Sequence, residues 1–145
     1  MKRELTVDQE TKVKELIRAL NSGEWLQART SLCERRETDV PGETSHAYCC
    51  LGVAGALLGL TYYQLETEVS KTDDGTSTTG EYLSNEHALE YGFTYKDQLR
   101  LAGLNDDGKS FSHIADRIEE WLDGAELPLT KHELEALAPP SENIL

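Results

Sequence analysis

Tyr48-Cys49-Cys50-Leu51-Gly52-Val53-Ala54-Gly55-Ala56-Leu57-Leu58-Gly59-Leu60 is the most apolar stretch of the chain. Its apolar residues fall on every side of a 3.6-residue helix, so it predicts a central helix over about 48–60 that is buried on most sides. It is too short to cross a bilayer, which takes roughly 20 apolar residues. Gly52, Gly55 and Gly59 are poor helix formers, each costing about 1 kcal/mol against Ala. Their spacing of three and four puts them on one face, where another backbone can approach closely.

Moving N-terminal, Thr6 and Gln9 form a capping box. Val13, Leu16, Ile17 and Leu20 then recur on one stripe, and Asn21-Ser22-Gly23 ends the helix. Residues 24–33 predict a turn and a short packed stretch, and the polar residues 34–47 around Pro41-Gly42 predict a loop. Moving C-terminal, residues 61–69 are rich in β-formers and predict a strand, followed by a polar loop to about Gly80. Ser84 caps a short helix closed by Gly92, and the Leu99/Leu101 alternation predicts a second strand within 93–101. The clearest helix opens at Ser110 with Phe111, Ile114, Ala115, Ile118, Trp121 and Leu122 on one stripe, and Asp123-Gly124 ends it. Thr130 and Glu133 form another capping box for a final helix that Pro139-Pro140 stops. The expectation is α+β: short helices packed around a buried central helix, with a small antiparallel sheet or hairpin from 61–69 and 93–101. One compact domain over 1–138 and a frayed tail over 139–145 are expected.

Charge is the strongest bulk signal. Fourteen basic against 27 acidic residues give −13. Eight basic and nine acidic residues precede position 61, whereas six and 18 follow it. Such a balance argues against direct binding to a nucleic-acid backbone, which needs a basic footprint. It suits docking on a partner with a basic surface. The start, Met1-Lys2-Arg3-Glu4, lacks the apolar region of a signal peptide, and three irregularly spaced cysteines make a poor disulfide framework. A cytoplasmic protein without membrane attachment is expected.

Three constellations carry candidate chemistry. Cys49 or Cys50 at a helix N-terminus has its thiolate favoured by unpaired N–H groups, and His46 three residues earlier is a candidate base, which together make half of a cysteine-hydrolase site. The competing reading is that both thiols are small core residues. Arg29, Arg35 and Arg36 are the one basic cluster before the central helix, and a small-molecule pocket would draw on Arg29, Cys50, Asn105 and Asp106. Otherwise these arginines are solvated and pair with Glu34 and Glu37. Asp106, Asp107, Glu119 and Glu120 are the candidate carboxylates for a basic partner. No metal and no cofactor is expected: Cys33, His46 and Cys49 or Cys50 supply only one paired spacing, and the stretches around Asp74 and Asn105-Asp106-Asp107-Gly108 lack the first ligand of a calcium loop. No phosphate-loop or hydrolase-elbow motif is present.

Four strings carry a resemblance. They are Ser22-Gly23-Glu24-Trp25 with Gln27-x-Arg29-x-x-Leu32; Tyr48-Cys49-Cys50-Leu51-Gly52-Val53; Leu101-Ala102-Gly103-Leu104-Asn105-Asp106-Asp107-Gly108; and Ser110-Phe111-x-x-Ile114-Ala115-x-x-Ile118-Glu119. In this order they resemble a family of small bacteriophage and prophage proteins. The chain departs from that pattern at Ala54-Gly55 and across 61–81. The resemblance implies a phage origin and brings no activity with it. The expected function is a phage-encoded acidic accessory protein that binds and modulates a host protein, such as a defence component, in the host cytoplasm. The alternatives are a binder of a nucleotide signal and a cysteine-dependent hydrolase.

Overall fold

The computed structural model describes residues 2–72 and 74–137. The fold is α+β. Its helices are α1 (Val7–Asn21), α2 (Cys50–Leu57), α3 (Tyr62–Glu66), α4 (Asn85–Leu89), α5 (Tyr95–Asp106), α6 (Phe111–Leu122) and α7 (Lys131–Leu137). Its strands are β1 (Leu26–Gln27), β2 (Cys33–Glu37), β3 (Thr44–Tyr48), β4 (Val69–Lys71) and β5 (Ser77–Thr79).

The central helix is where the apolar run places it, but shorter. Cys50 to Gly55 are all buried, and α2 packs against α1, α3, α5 and β3. Cys49 is its N-cap, and Gly59 at φ 96° ends it in a left-handed turn that only glycine adopts without strain. Gly52 lies against the Leu32 carbonyl, which also accepts from Cys49 N–H at 3.2 Å. That is the close backbone approach the glycine face predicts. Gly55 instead meets the side chains of Leu60, Leu65 and Leu83.

Helices α1 and α6 match their apolar stripes residue for residue. Val13, Leu16, Ile17 and Leu20 are buried, as are Phe111, Ile114, Ala115, Ile118, Trp121 and Leu122. The two helices pack on each other, and the Thr6/Gln9 and Thr130/Glu133 capping boxes both form. An aromatic run joins the halves of the core: Tyr91 lies 5.5 Å from Phe93, Phe93 lies 5.0 Å from Trp121, and Tyr91 O–H donates to Ala54 O at 2.6 Å.

The sheet is elsewhere than expected. Within 61–69, Tyr62–Glu66 form α3, because Thr61 and Gln64 close a capping box that outweighs the β-propensity of the tyrosines, and only Val69 belongs to a strand, β4. Residues 93–101 are not a strand: Thr94 caps α5 through Asp97, and Leu101 and Leu104 face the core at helical spacing. The region read as a loop, 34–47, holds most of the sheet. There β2 and β3 pair antiparallel with Arg35 opposite His46, and β1 joins the other side of β3 in parallel, giving the order β1-β3-β2. A second hairpin pairs β4 with β5. The expected stop at Pro139-Pro140 and the tail 139–145 lie outside the described residues. Among the described residues no helix is long and apolar enough to cross a membrane.

Candidate functional site

The two helix-start thiols are interior groups. Cys49 is 4% and Cys50 1% exposed, and Cys50 Sγ lies 3.6 Å from Leu101 O. Burial pushes the Cys49 thiol up to about 12 and Cys50 well above its ordinary value. The N–H groups of Gly52 and Leu51 pull Cys49 the other way, so the helix-end effect is present but smaller than the desolvation. This reverses the expected lowering. The His46 ring lies against Tyr62 with centroids 4.4 Å apart, and no hydrogen bond among the described residues joins it to either thiol. The third thiol, Cys33, is pushed up to about 11 by burial first and then by Glu66.

Arg29 and Asn105 do meet, but in a clasp. Asn105 is 1% exposed. Its side-chain amide donates to Ala28 O at 2.6 Å and Arg29 O at 2.9 Å, and its oxygen accepts from Gln27 Nε2 at 3.0 Å. Gln27 Nε2 also donates to Lys109 O at 2.8 Å, and Arg29 Nη1 donates to Asp106 O at 3.4 Å. The polar atoms that join β1 to the end of α5 are therefore used inside the fold. Cys50, whose Sγ contacts Leu101 O, makes no hydrogen bond to this cluster among the described residues. Arg35 lies over Tyr62 at 5.4 Å, while Arg36 donates to Gln27 O at 3.2 Å and pairs with Glu34 at 3.8 Å.

The four carboxylates line two different concavities. Glu119 and Glu120, with Asp116 and Asp123, border one of about 610 Å³, where Lys2, Lys14 and Arg117 offset most of the acidic charge. Asp106 and Asp107 border another of about 430 Å³ between α5 and the start of α7. Its floor is Leu99, Ala102, Gly103 and Tyr82, and its rim is Asp106, Asp107, Thr130, Lys131, His132 and Glu133. A further concavity of about 300 Å³, with Tyr95, Lys96, Thr72 and Asp74, shares Leu99 and Glu133 with it. Together they run along the outer face of α5.

The electrostatics of this groove are uneven. Arg100, 7% exposed, holds one wall: its guanidinium donates to both oxygens of Glu133, with Nη2 to Oε2 at 2.9 Å, and to Glu126 at 3.2 Å. Arg100 and the Thr130 N–H hold the Glu133 carboxyl down at about 2. Asp107 lies 3.5 Å from Lys131. The Asp106 carboxylate has no ion pair or hydrogen bond among the described residues. Partial burial first, then Asp107 and Glu81, push it above the ordinary carboxylate range, against the pull of Arg29. Tyr82 beside it is pushed up to about 12, mainly by burial.

Sequence reasoning found Asp106 and Asp107 but missed the groove floor. Leu99, Ala102 and Gly103 sit at helical spacing on α5, a signal hidden by reading that segment as a strand. No group of three or more His, Cys, Asp or Glu side chains among the described residues is arranged to hold a metal ion. Fold and site together define an α+β domain with an apolar, acid-rimmed groove on one helix. No protein-family model, no curated protein and no solved structure matches the chain.

Proposed function

We propose that this is a phage-encoded acidic accessory protein that acts in the host cytoplasm by binding and modulating a host protein with a basic surface. The observation that carries the reading is Asp106, a carboxylate at the edge of an apolar groove with no ion pair or hydrogen bond among the described residues and Arg29 acting on it only at longer range, in a chain of net charge −13. An unpaired, partly desolvated carboxylate is stabilised when a partner brings a cation to it. The overall negative field speeds encounter with such a partner. The phage origin rests on the four strings that resemble the phage family.

The two alternatives have less support. A nucleotide signal carries phosphates, which the carboxylates around the groove repel, while Arg29 is directed at the Asp106 carbonyl. A cysteine hydrolase needs a thiolate near neutral pH, and burial disfavours it at Cys49 and Cys50.

The test is affinity capture from bacterial lysate at low and moderate salt. Three baits are compared: the protein itself, Asp106→Asn/Asp107→Asn, and Glu119→Gln/Glu120→Gln. A host protein held in a salt-sensitive way and lost by one carboxylate pair supports the reading. Capture that ignores both pairs, or no capture at either salt, sinks it.

A further inference from the structure

We propose that the groove along α5 takes a linear peptide segment of the partner, with an apolar side chain seated on Leu99, Ala102 and Gly103 and a Lys or Arg set against Asp106. This rests on the partner-binding reading and specifies its chemistry.

Shape is the first argument. The two concavities share Leu99 and Glu133 and therefore form one lane. Helix α5 has 12 residues, which at 1.5 Å each span about 18 Å. That length suits about five residues of extended chain or about three turns of helix. A compact metabolite would fill only one part of it.

Chemistry along the lane is the second. The floor is half-buried and apolar, and it gains by excluding water under an apolar side chain. At one end is Asp106, with no cation in ion-pair contact among the described residues and Arg29 acting on it only at longer range. Lys131 is already near Asp107, and Glu133 is held by Arg100, so these neighbours do not supply one. At the other end stand Lys96 and Asp74, whose carboxylate already accepts from Thr72 and Thr76, which leaves Asp106 as the carboxylate for the segment's basic residue.

The walls are the third. Thr130 closes against α5 where Gly103 lacks a side chain: a methyl there would come within 3.2 Å of Thr130 Cγ2. Together with the Arg100–Glu133 pair this fixes the start of α7 beside the groove. A pre-formed wall reduces the ordering cost of binding.

The experiment is selection of displayed random peptides of about twelve residues, the helical length of the groove, on the full-length protein. Enriched sequences are synthesised and titrated. The expected result is enrichment of Lys or Arg near Leu, Met or Phe. Binding should weaken about tenfold in Asp106→Asn and in Leu99→Glu, and not in Glu119→Gln/Glu120→Gln. Asp106→Asn removes only an exposed charge and keeps the comparison valid if Leu99→Glu perturbs folding. Acidic consensus peptides, no enrichment, or binding unmoved by both groove variants would overturn the inference. If lysate capture depends on Glu119 and Glu120 while the groove variants bind normally, the partner reading stands and the groove assignment fails. If capture fails as well, both fail.

Discussion

Gln98 holds Leu83 by both of its backbone polar groups. Leu83 N–H donates to Gln98 Oε1 at 2.8 Å, and Gln98 Nε2 donates to Leu83 O at 3.0 Å. Both residues are fully buried, so a single side chain on α5 does for this irregular segment what a neighbouring strand would do. Gln98→Leu keeps the volume and removes both partners. The expected cost is about 2–4 kcal/mol, because two buried backbone groups lose their bonds at once. Urea unfolding with an unchanged slope and a lower midpoint is the check.

Gly52 and Gly55 separate two kinds of close packing. A methyl on Gly52 would lie 1.7 Å from the Leu32 carbonyl oxygen, and that backbone is anchored through Cys49 N–H and Gly80 O. On Gly55 it would meet the ends of Leu65 and Leu83 at 2.6 and 2.9 Å, which can rotate away. Gly52→Ala should therefore cost about 3 kcal/mol or more and Gly55→Ala clearly less, within the range of core overpacking. Thermal melts of the two variants give the order directly.

All three thiols should resist alkylation in the folded protein. Burial sets Cys49 at about 12 and Cys33 at about 11, so little thiolate exists at pH 8. Iodoacetamide labelling followed by mass spectrometry should show modification only as fast as the chain opens, with Cys33 first. Rapid native labelling of Cys49 or Cys50 would restore the hydrolase alternative.

Acid should release α7 early. The Glu133 carboxyl sits at about 2, below its ordinary value of 4.5. A carboxyl lowered by folding stabilises the native state above the ordinary range, and the contribution is lost as pH falls from about 5 toward 2. α7 buries none of its own side chains, so this pair and the Thr130 cap are its main ties. Glu133→Gln keeps an oxygen for the Thr130 N–H and removes the charge. It should flatten the acid limb of the stability curve and raise hydrogen exchange in α7 at neutral pH, with α1 and α6 unchanged.

How far the chain can be read without its fold depends on where each signal resides. The stripes of α1 and α6, the capping residues Thr6, Ser84, Ser110 and Thr130, and the buried stretch from Cys50 to Gly55 are local patterns. Hydrophobic periodicity and cap chemistry act within a few residues, so sequence alone determined them. The caps at Thr61/Gln64 and Thr94/Asp97 are equally local, and the β-propensity of Tyr62 and Tyr63 and the alternation of Leu99 and Leu101 hid them. The strand Cys33-Glu34-Arg35-Arg36-Glu37 was not legible. It is a charged sheet edge with one buried residue, and only its pairing with β3 makes it a strand.

The candidate site divides the same way. Sequence supplied the acidic balance and singled out Asp106 and Asp107. Tertiary structure decided that Asn105 serves a clasp, that Cys49 and Cys50 are dry, and that Leu99 to Gly103 floor a groove. Each of these is set by residues distant in the chain: Ala28 for Asn105, Leu101 for Cys50 and Thr130 for Gly103. Burial and proximity to such neighbours set the protonation and availability of a side chain, and neither is a property of a local stretch of sequence. The run from Cys49 to Leu60 fixed the centre of the fold by itself, and only packing around it decided that its thiols stay inside.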